Sequence, residues 1–149
     1  LDQVKLIKNR ADWIEIWLDN LDNYDDFFEN FAKSHEILDL KFLAVCKKEN
    51  ENGVFSGSEL ERANILVKFI KCSSNQNNLI DLDVVRNSPE VIHNLLTKID
   101  NKYLILSFHD FQCLPKNITE IFEKMQQFSP AIYKFAVTPK SRENLADFY

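Results

Sequence analysis

Five short apolar runs recur along the chain, separated by longer and more polar segments. They occupy residues 13–19 (WIEIWLD), 41–47 (KFLAVCK), 79–85 (LIDLDVV), 103–109 (YLILSFH) and 131–137 (AIYKFAV). Most of these runs are apolar at both alternating sets of positions, as are strands of a parallel sheet that is covered on both faces. The pattern therefore predicts five buried β-strands.

The segments between the runs show helical periodicity and helix-start signals. Residues 24–37 carry phenylalanines at helical spacing, and residues 117–128 repeat apolar positions in the same way. Ser58 with Glu61 forms a capping box, and Ser88 precedes a proline at the first position of the next predicted helix. Helices are therefore expected between successive strands.

The alternation of strands and helices predicts the class of the fold. Such an order forms right-handed βαβ units around a parallel sheet. The chain has 149 residues, 45% of them hydrophobic, which is enough for one domain with a sizeable core. We expect a single α/β domain over residues 1–149, built either as a (β/α) barrel or as an open doubly wound sheet.

The charge and the cysteine content of the chain argue against several classes of partner and site. The net charge is −5 and there is no basic tract, which argues against a nucleic-acid partner. No apolar run approaches the ~20 residues needed to cross a bilayer, so no membrane partner is expected. Three widely spaced cysteines argue against a disulfide framework and against a Cys-x-x-Cys metal site. They suit a reducing cytoplasm.

Lys134 is the most informative candidate for chemistry, because it lies within the last apolar run. A lysine amine surrounded by apolar side chains is more easily held neutral, and a neutral amine can form an imine with a ketone. The alternative is a lysine that extends from the strand edge to solvent. Both interpretations remain open on the residues alone.

Other polar residues lie where predicted strands end, which is where parallel α/β folds gather functional groups. His109 is either a general acid/base or a hydrogen-bonded structural residue. Glu51 belongs to a charged loop that is solvated by default. Asp81 and Asp83 share one face of a strand and could bind a metal, but no further ligands are evident. Structural pairing is favoured for both, and no metal site is predicted.

Five stretches carry a resemblance to a known family, and they follow one another in register across nearly the whole chain. They are WIEIWLDNLDN, FLAVCKKENENGVFSGSELER, LIDLDVV, YLILSFHDFQCLP and IYKFAVTPKSRENL. These stretches resemble type I 3-dehydroquinate dehydratase, the Schiff-base lyase of the shikimate pathway. The most specific parts are the histidine motif SFHDF and the lysine motif KFAV.

The resemblance implies a (β/α)8 barrel of the TIM type and dehydration of 3-dehydroquinate to 3-dehydroshikimate. Lys134 matches the imine-forming lysine, His109 the general acid/base, and Glu51 the acidic partner that positions the histidine. No metal or organic cofactor is implied, because the lysine imine itself is the electron sink. The implied partner is a small keto acid. The substrate-contacting positions are Glu15, Trp17 and Lys47.

The sequence departs from the family pattern at three places. Trp17 and Lys47 stand where the family has arginines, and Asn52-Gly53 stands where it has Gly-Gly. Arginine grips a carboxylate through a bidentate fork that neither replacement can copy. Two alternatives therefore stay open beside the dehydratase. One is a catalytically impaired, barrel-derived domain with a structural or interaction role, and the other is a Schiff-base lyase for a different small keto compound.

Length also differs from the expected barrel, which usually needs ~250 residues. The resemblance places this chain over strands 2–6 of the barrel, so the domain is expected to be truncated at both ends. The first residue is Leu1 and the only methionine is Met125, which suggests a lost N-terminal piece. The alternatives are a fragment of a longer polypeptide, or a reduced relative whose open sheet edges pair with a second copy or another chain.

Overall fold

The computed structural model describes residues 11–38, 40–73, 77–142 and 146. Its sheet has five strands in the order β1–β2–β3–β4–β5, and each strand is parallel to its neighbours. The strands are β1 (Trp13–Trp17), β2 (Lys41–Val45), β3 (Leu79–Asp83), β4 (Leu104–Asp110) and β5 (Ile132–Val137). The predicted α/β class and all five predicted strands are therefore confirmed.

Four helices connect the strands. They are α1 (Tyr24–Leu38), α2 (Glu59–Cys72), α3 (Pro89–Leu96) and α4 (Ile118–Gln126). Single 3₁₀ turns occupy Leu18–Asn20, Glu49–Glu51 and Asn101–Tyr103. Strands β1 and β2 each end two residues before the apolar runs predicted, and the first two turns follow them, the second after a gap of three residues.

Helix α2 begins where the sequence predicted. The Glu61 N–H donates to Ser58 Oγ at 3.2 Å, and the Ser58 N–H donates to Glu61 Oε2 at 2.7 Å. This reciprocal pair satisfies two donors that the first turn of a helix leaves free. Ser88 also lies at the start of α3, but its side chain makes no capping hydrogen bond. Its N–H instead donates to Glu59 Oε2 at 2.9 Å, which ties the starts of α2 and α3 together.

The two faces of the sheet differ in chemistry. One face packs against the helices and forms the hydrophobic core, with Ile80, Leu82, Leu104 and Leu106 all almost fully buried. The opposite face carries polar groups at the intervening positions of β3, β4 and β5. Those groups are Asp81, Asp83, Ser107, His109 and Lys134. The expectation of two apolar faces is therefore wrong for these strands, and the polar face is the one that can do chemistry.

Strand β5 also differs from its expected burial. Ile132 is 44% exposed and Tyr133 is 37% exposed. In the described part of the chain, β5 pairs only with β4, so one side of the strand has no neighbour there. An apolar run predicts burial on the assumption that both sides of the strand are covered, and that assumption fails here.

Gly53 lies in the loop between β2 and α2 where two backbone segments come close together. Its N–H donates to the Lys48 carbonyl at 2.9 Å, and a Cβ at this position would overlap the Lys47 carbonyl oxygen. Gly53→Ala is therefore expected to lower the free energy of unfolding by roughly 1–3 kcal/mol, as overpacking does. Urea denaturation measures the change, with exposed Ser56→Ala as the matched control. Equal stability of the two variants would contradict the prediction.

Candidate active site

Lys134 lies in the middle of β5, directly beside Ser107 of β4. Its Nζ donates to Asp81 Oδ2 at 2.8 Å, although β3 and β5 are separated by β4. The lysine side chain is 34% exposed, whereas the Asp81 side chain is only 4% exposed. The expectation that apolar side chains surround Lys134 is therefore wrong. A buried carboxylate holds its amine, and the lysine side chain is partly open to solvent.

Asp81 has a second partner, because the Ser107 hydroxyl donates to its Oδ1. A buried carboxylate is costly unless it is paired and hydrogen-bonded, and these two donors satisfy both oxygens. The small Ser107 side chain also leaves room for Lys134 to reach across β4. Side-chain pairing, which the sequence favoured over a metal site for Asp81, is thus what the structure contains. No cluster of three potential metal ligands occurs within residues 11–38, 40–73 and 77–142.

His109 lies near the carboxyl end of β4, on the same face of the sheet as Lys134, and its side chain is largely buried. Its Nδ1 lies 3.2 Å from Asp83 Oδ2, and its backbone N–H donates to the same oxygen at 3.2 Å. Ser107 Oγ is 3.4 Å from the same ring nitrogen. Because a carboxylate only accepts hydrogen bonds, the neutral imidazole that fits this contact carries its proton on Nδ1. That tautomer leaves Nε2 as the basic nitrogen.

Asp83 is fixed from several directions. Its Oδ1 accepts from the backbone N–H groups of Val85 at 2.9 Å and Arg86 at 3.1 Å, which closes the turn after β3. The Arg86 Nε is 3.7 Å from the other oxygen. A carboxylate held in this way can orient an imidazole without moving itself. Sequence reasoning weighed Asp83 as a metal ligand and favoured structural pairing, but it did not identify His109 as the partner.

Glu51 was expected to position His109, but among the described residues its hydrogen bond and its ion pair go to other groups. Its Oε2 accepts from the Lys48 N–H at 3.0 Å and forms an ion pair with Arg62. In the described structure, the carboxylate that contacts the His109 ring is Asp83. Glu51 and His109 nevertheless line the same cleft, so the role of Glu51 in positioning the histidine stays a prediction.

Arg62 is a buried residue that sequence reasoning missed. Its side chain is 1% exposed and contacts four different groups. Its Nη1 pairs with Glu51 and lies 3.5 Å from the Cys46 carbonyl, while Nη2 donates to Asn87 Oδ1 at 2.7 Å and to the Arg86 carbonyl at 3.3 Å. Arg62 therefore joins the loop after β2 to the loop after β3. Its Nε is buried without a partner among the described residues.

A signal for Arg62 was available in the sequence. The residue lies four and seven positions before Leu66 and Phe69, both of which are buried on the core face of α2. An arginine on the apolar stripe of a helix is rarely buried unless its charge is paired. Its position therefore predicts a buried acidic partner, although the stripe alone does not say which one.

The three substrate-contacting positions implied by the family contact one another. The Trp17 Nε1–H donates to Glu15 Oε1 at 2.7 Å, and the Lys47 ammonium lies over the Trp17 ring at 4.4 Å from its centroid. A cation at this distance from an indole face is attracted to it. Glu15, Trp17 and Lys47 therefore form one cluster, in which the Lys47 charge is already engaged by the ring.

A cleft of about 510 Å³ opens above the carboxyl ends of β3 and β4. Its wall includes Lys47, Glu51, Asp83, Arg86 and His109. Among the described residues, Lys134, Glu15 and Trp17 do not form part of this wall. The sheet thus brings His109 and Glu51 to one cleft and places Lys134 beside it on β5.

Cys46 and Cys72 are poorly suited to act as nucleophiles. Burial raises the pKa of the Cys46 thiol to about 12 and that of Cys72 to about 11. A thiol with such a pKa is almost entirely protonated near neutral pH, and the thiolate is the reactive form. Lys134 is therefore the better nucleophile candidate on the polar face of the sheet.

Comparisons with known proteins report on the family of the chain. A family model described as type I 3-dehydroquinase matches residues 1–148. A 3-dehydroquinate dehydratase of Streptococcus agalactiae serotype Ia is 33% identical over 147 residues, which cover 98% of this chain and 59% of that protein. One from Methanothrix thermoacetophila is 31% identical over 133 residues, covering 89% and 54%.

A solved structure shows the same fold. It is a type I 3-dehydroquinate dehydratase from Clostridium difficile with covalently modified comenic acid. It superposes with a TM-score of 0.80 at 24% identity, covering 97% of this chain and 60% of that one. The five-stranded parallel sheet therefore corresponds to an incomplete barrel of the TIM type, as expected. The chain spans 54–60% of the length of these relatives, and with its family-model match it belongs to the type I 3-dehydroquinase family.

Proposed function

We propose that this chain performs the lysine-imine chemistry of a 3-dehydroquinate dehydratase, converting 3-dehydroquinate to 3-dehydroshikimate. Lys134 is the nucleophile and His109 is the general acid/base. The observation that carries the proposal is the placement of an amine and an imidazole on one polar face of adjacent strands, with Ser107 between them. The names of the relatives support the choice of substrate.

The reaction needs an electron sink, a base and an acid. Lys134 Nζ adds to the substrate ketone, and the ketone oxygen leaves as water to give an iminium. The iminium makes the neighbouring C–H acidic, and His109 Nε2 takes that proton. The same imidazole then returns the proton to the β-hydroxyl, which leaves as a second water. Hydrolysis of the imine consumes one water and frees Lys134, so the net change is the loss of one water.

The remaining predicted site residues have supporting roles in this proposal. Glu51 lies on the same cleft wall as His109 and is the acidic partner that positions the histidine. Glu15, Trp17 and Lys47 contact the substrate on the β1–β2 side of the polar face. No metal or organic cofactor takes part, because the iminium supplies the electron sink that such a group would otherwise provide.

The partner and the location follow from the same proposal. The partner is a small keto acid, and the polypeptide works in the cytoplasm. Three free thiols in the described structure are consistent with a reducing compartment. Within the described residues, none of the helices combines the length and the apolar composition that crossing a bilayer requires. Pairing of the sheet edges with a second copy or another chain stays a prediction.

Borohydride trapping tests the proposal directly. The protein is incubated with 3-dehydroquinate and borohydride, and the product is read by intact mass and peptide mapping. We expect one reduced adduct on Lys134, because an imine at this residue is fixed by hydride. Lys102→Met, which changes an exposed lysine at the opposite end of β4, is expected to keep the adduct, and Lys134→Met is expected to lose it. Absence of any adduct on folded protein overturns the proposal for this chain.

A second candidate function is favoured by the cluster around Trp17. The Lys47 ammonium is drawn onto the indole ring instead of standing free for a substrate carboxylate. This arrangement suits a Schiff-base lyase for another small keto compound. Trapping with a panel of small ketones and keto acids separates the two functions, because a different substrate would label Lys134 at a lower concentration than 3-dehydroquinate does. Failure of every ketone would favour a noncatalytic domain.

A further inference from the structure

Asp81 has no role in the chemistry described so far, yet it contacts the atom that reacts. Its Oδ2 is 2.8 Å from Lys134 Nζ, and its other oxygen accepts from the buried Ser107 hydroxyl. The carboxylate is almost fully buried, whereas the amine it holds is partly open to solvent. One oxygen is thus anchored inside the protein, and the other faces the nucleophile.

We propose that Asp81 is a further catalytic residue, which carries protons between Lys134 Nζ and the ketone oxygen while the imine forms. The inference rests on the proposed imine function of Lys134. A lysine ammonium has no lone pair, so a neighbouring group must take a proton before the nitrogen can attack. Asp81 Oδ2 is the described carboxylate oxygen in hydrogen-bond contact with that nitrogen.

The proton transfers balance with Asp81 as the only carrier. Asp81 takes one proton from the ammonium, the N–C bond forms, and the C=O π electrons move to oxygen. The acid form of Asp81 then protonates that oxygen. Asp81 removes a second proton from nitrogen and delivers it to the hydroxyl, the C–O bond breaks, and water leaves. The product is the protonated imine, and Asp81 is again a carboxylate.

The two carboxylates of β3 each contact a different one of the proposed reacting groups. Asp81 contacts Lys134, and Asp83 contacts His109, two residues further along the same face. Each pair has its own support, because Ser107 donates to Asp81 and the turn after β3 donates to Asp83. The formation of the imine and the later transfer of the substrate proton can therefore use separate acid/base groups.

Other titratable groups face this region and must be considered in any pH experiment. Those on neighbouring strands are Glu15 on β1, Lys47 after β2, Asp83 on β3 and His109 on β4. Cys46, Glu51 and Arg62 lie with Asp81 around a small gap behind the strand ends. The helices pack against the opposite face of the sheet, which carries the apolar core.

The test measures how fast Lys134 forms an imine with formaldehyde under cyanoborohydride, as a function of pH, by peptide mapping. This reagent needs no substrate-binding residues. In Asp81→Asn, we expect the high-pH plateau of the rate to fall roughly 100-fold, within the range of general acid–base effects. Asp100→Asn, an exposed carboxylate before β4, is expected to leave it unchanged. If the pH profile of the rate only shifts along the pH axis and keeps its plateau, the inference is overturned. Asp81 would then only hold the Lys134 amine in position.

Two further measurements keep the inference testable. If Asp81→Asn does not fold, the same rate is measured in Ser107→Ala. This variant retains the Asp81 carboxylate but removes the hydroxyl donor that orients it. A folded Ser107→Ala protein with an unchanged plateau overturns the inference. Trapping with 3-dehydroquinate separates the two proposals. If the unaltered protein forms no 3-dehydroquinate adduct but Asp81→Asn still slows imine formation with formaldehyde, only the substrate assignment is removed. A 3-dehydroquinate adduct that forms at the unaltered rate in Asp81→Asn removes only the Asp81 role.

Discussion

His109→Asn is expected to lower kcat for 3-dehydroquinate dehydration by roughly 10²- to 10⁴-fold, the usual contribution of a positioned acid/base. Asparagine can place its amide nitrogen where Nδ1 now contacts Asp83, so the support from Asp83 is kept. It has no group that can take the place of basic Nε2. The variant is therefore expected to lose proton transfer from the substrate while keeping Lys134, the proposed imine-forming residue, in place.

The measurement combines turnover with trapping. The conjugated product absorbs in the ultraviolet, which gives kcat, and borohydride reports whether the imine at Lys134 still forms. We expect the His109→Asn protein to be trapped but not to turn over. His93→Asn is the matched control, because His93 packs on Phe128 with ring centroids 4.9 Å apart and lies on α3. Turnover within about threefold of the unaltered protein would remove His109 from the mechanism, since such a change is far below the general-base effect.

The secondary structure was predictable because its signals are local. A seven-residue, mostly apolar run marks each strand of five to seven residues, and the Ser58–Glu61 pair marks the start of α2 within four residues of sequence. The family's histidine and lysine motifs likewise identify His109 and Lys134 as candidates. Each of these inferences requires only neighbouring residues, and local propensity and periodicity describe such residues well.

The surroundings of the candidate residues were not predictable in the same way. Asp81 and Lys134 are 53 positions apart in the chain, and they meet only because β3, β4 and β5 align in one register. A strand that slipped by one residue would turn every side chain to the other face. Periodicity gives the two faces of each strand but not the register between strands. The acidic partner of Lys134 and the Asp83 partner of His109 therefore became visible only in the structure.

Arg62 shows the same limit for a buried charge. Its place on the apolar stripe of α2 signals a paired cation, but its partners come from two loops of the chain. Glu51 lies 11 residues earlier and Asn87 lies 25 residues later. These loops follow β2 and β3, whose ends are adjacent because the strands are parallel neighbours. The arginine thus fixes the relative position of the two loops that form the cleft wall.

Arg62→Met is expected to lower the free energy of unfolding by about 3–5 kcal/mol, the cost of breaking a buried ion pair from one side. Methionine fills much of the same volume but leaves Glu51 without its cation and Asn87 Oδ1 without its donor. A typical domain has a total stability of about 5–15 kcal/mol, so the loss would be a large part of it. Urea denaturation, followed by circular dichroism, measures the change.

Lys102→Met is the matched control, because Lys102 pairs with Asp100 at 3.7 Å and both side chains are exposed. A pair of that kind contributes about 0–1 kcal/mol, so little change is expected there. The double variant Arg62→Met with Glu51→Gln should recover part of the loss, because an amide tolerates burial without a cation better than a carboxylate does. A loss in Arg62→Met no larger than that in Lys102→Met would show that the buried arginine does not hold the two loops together.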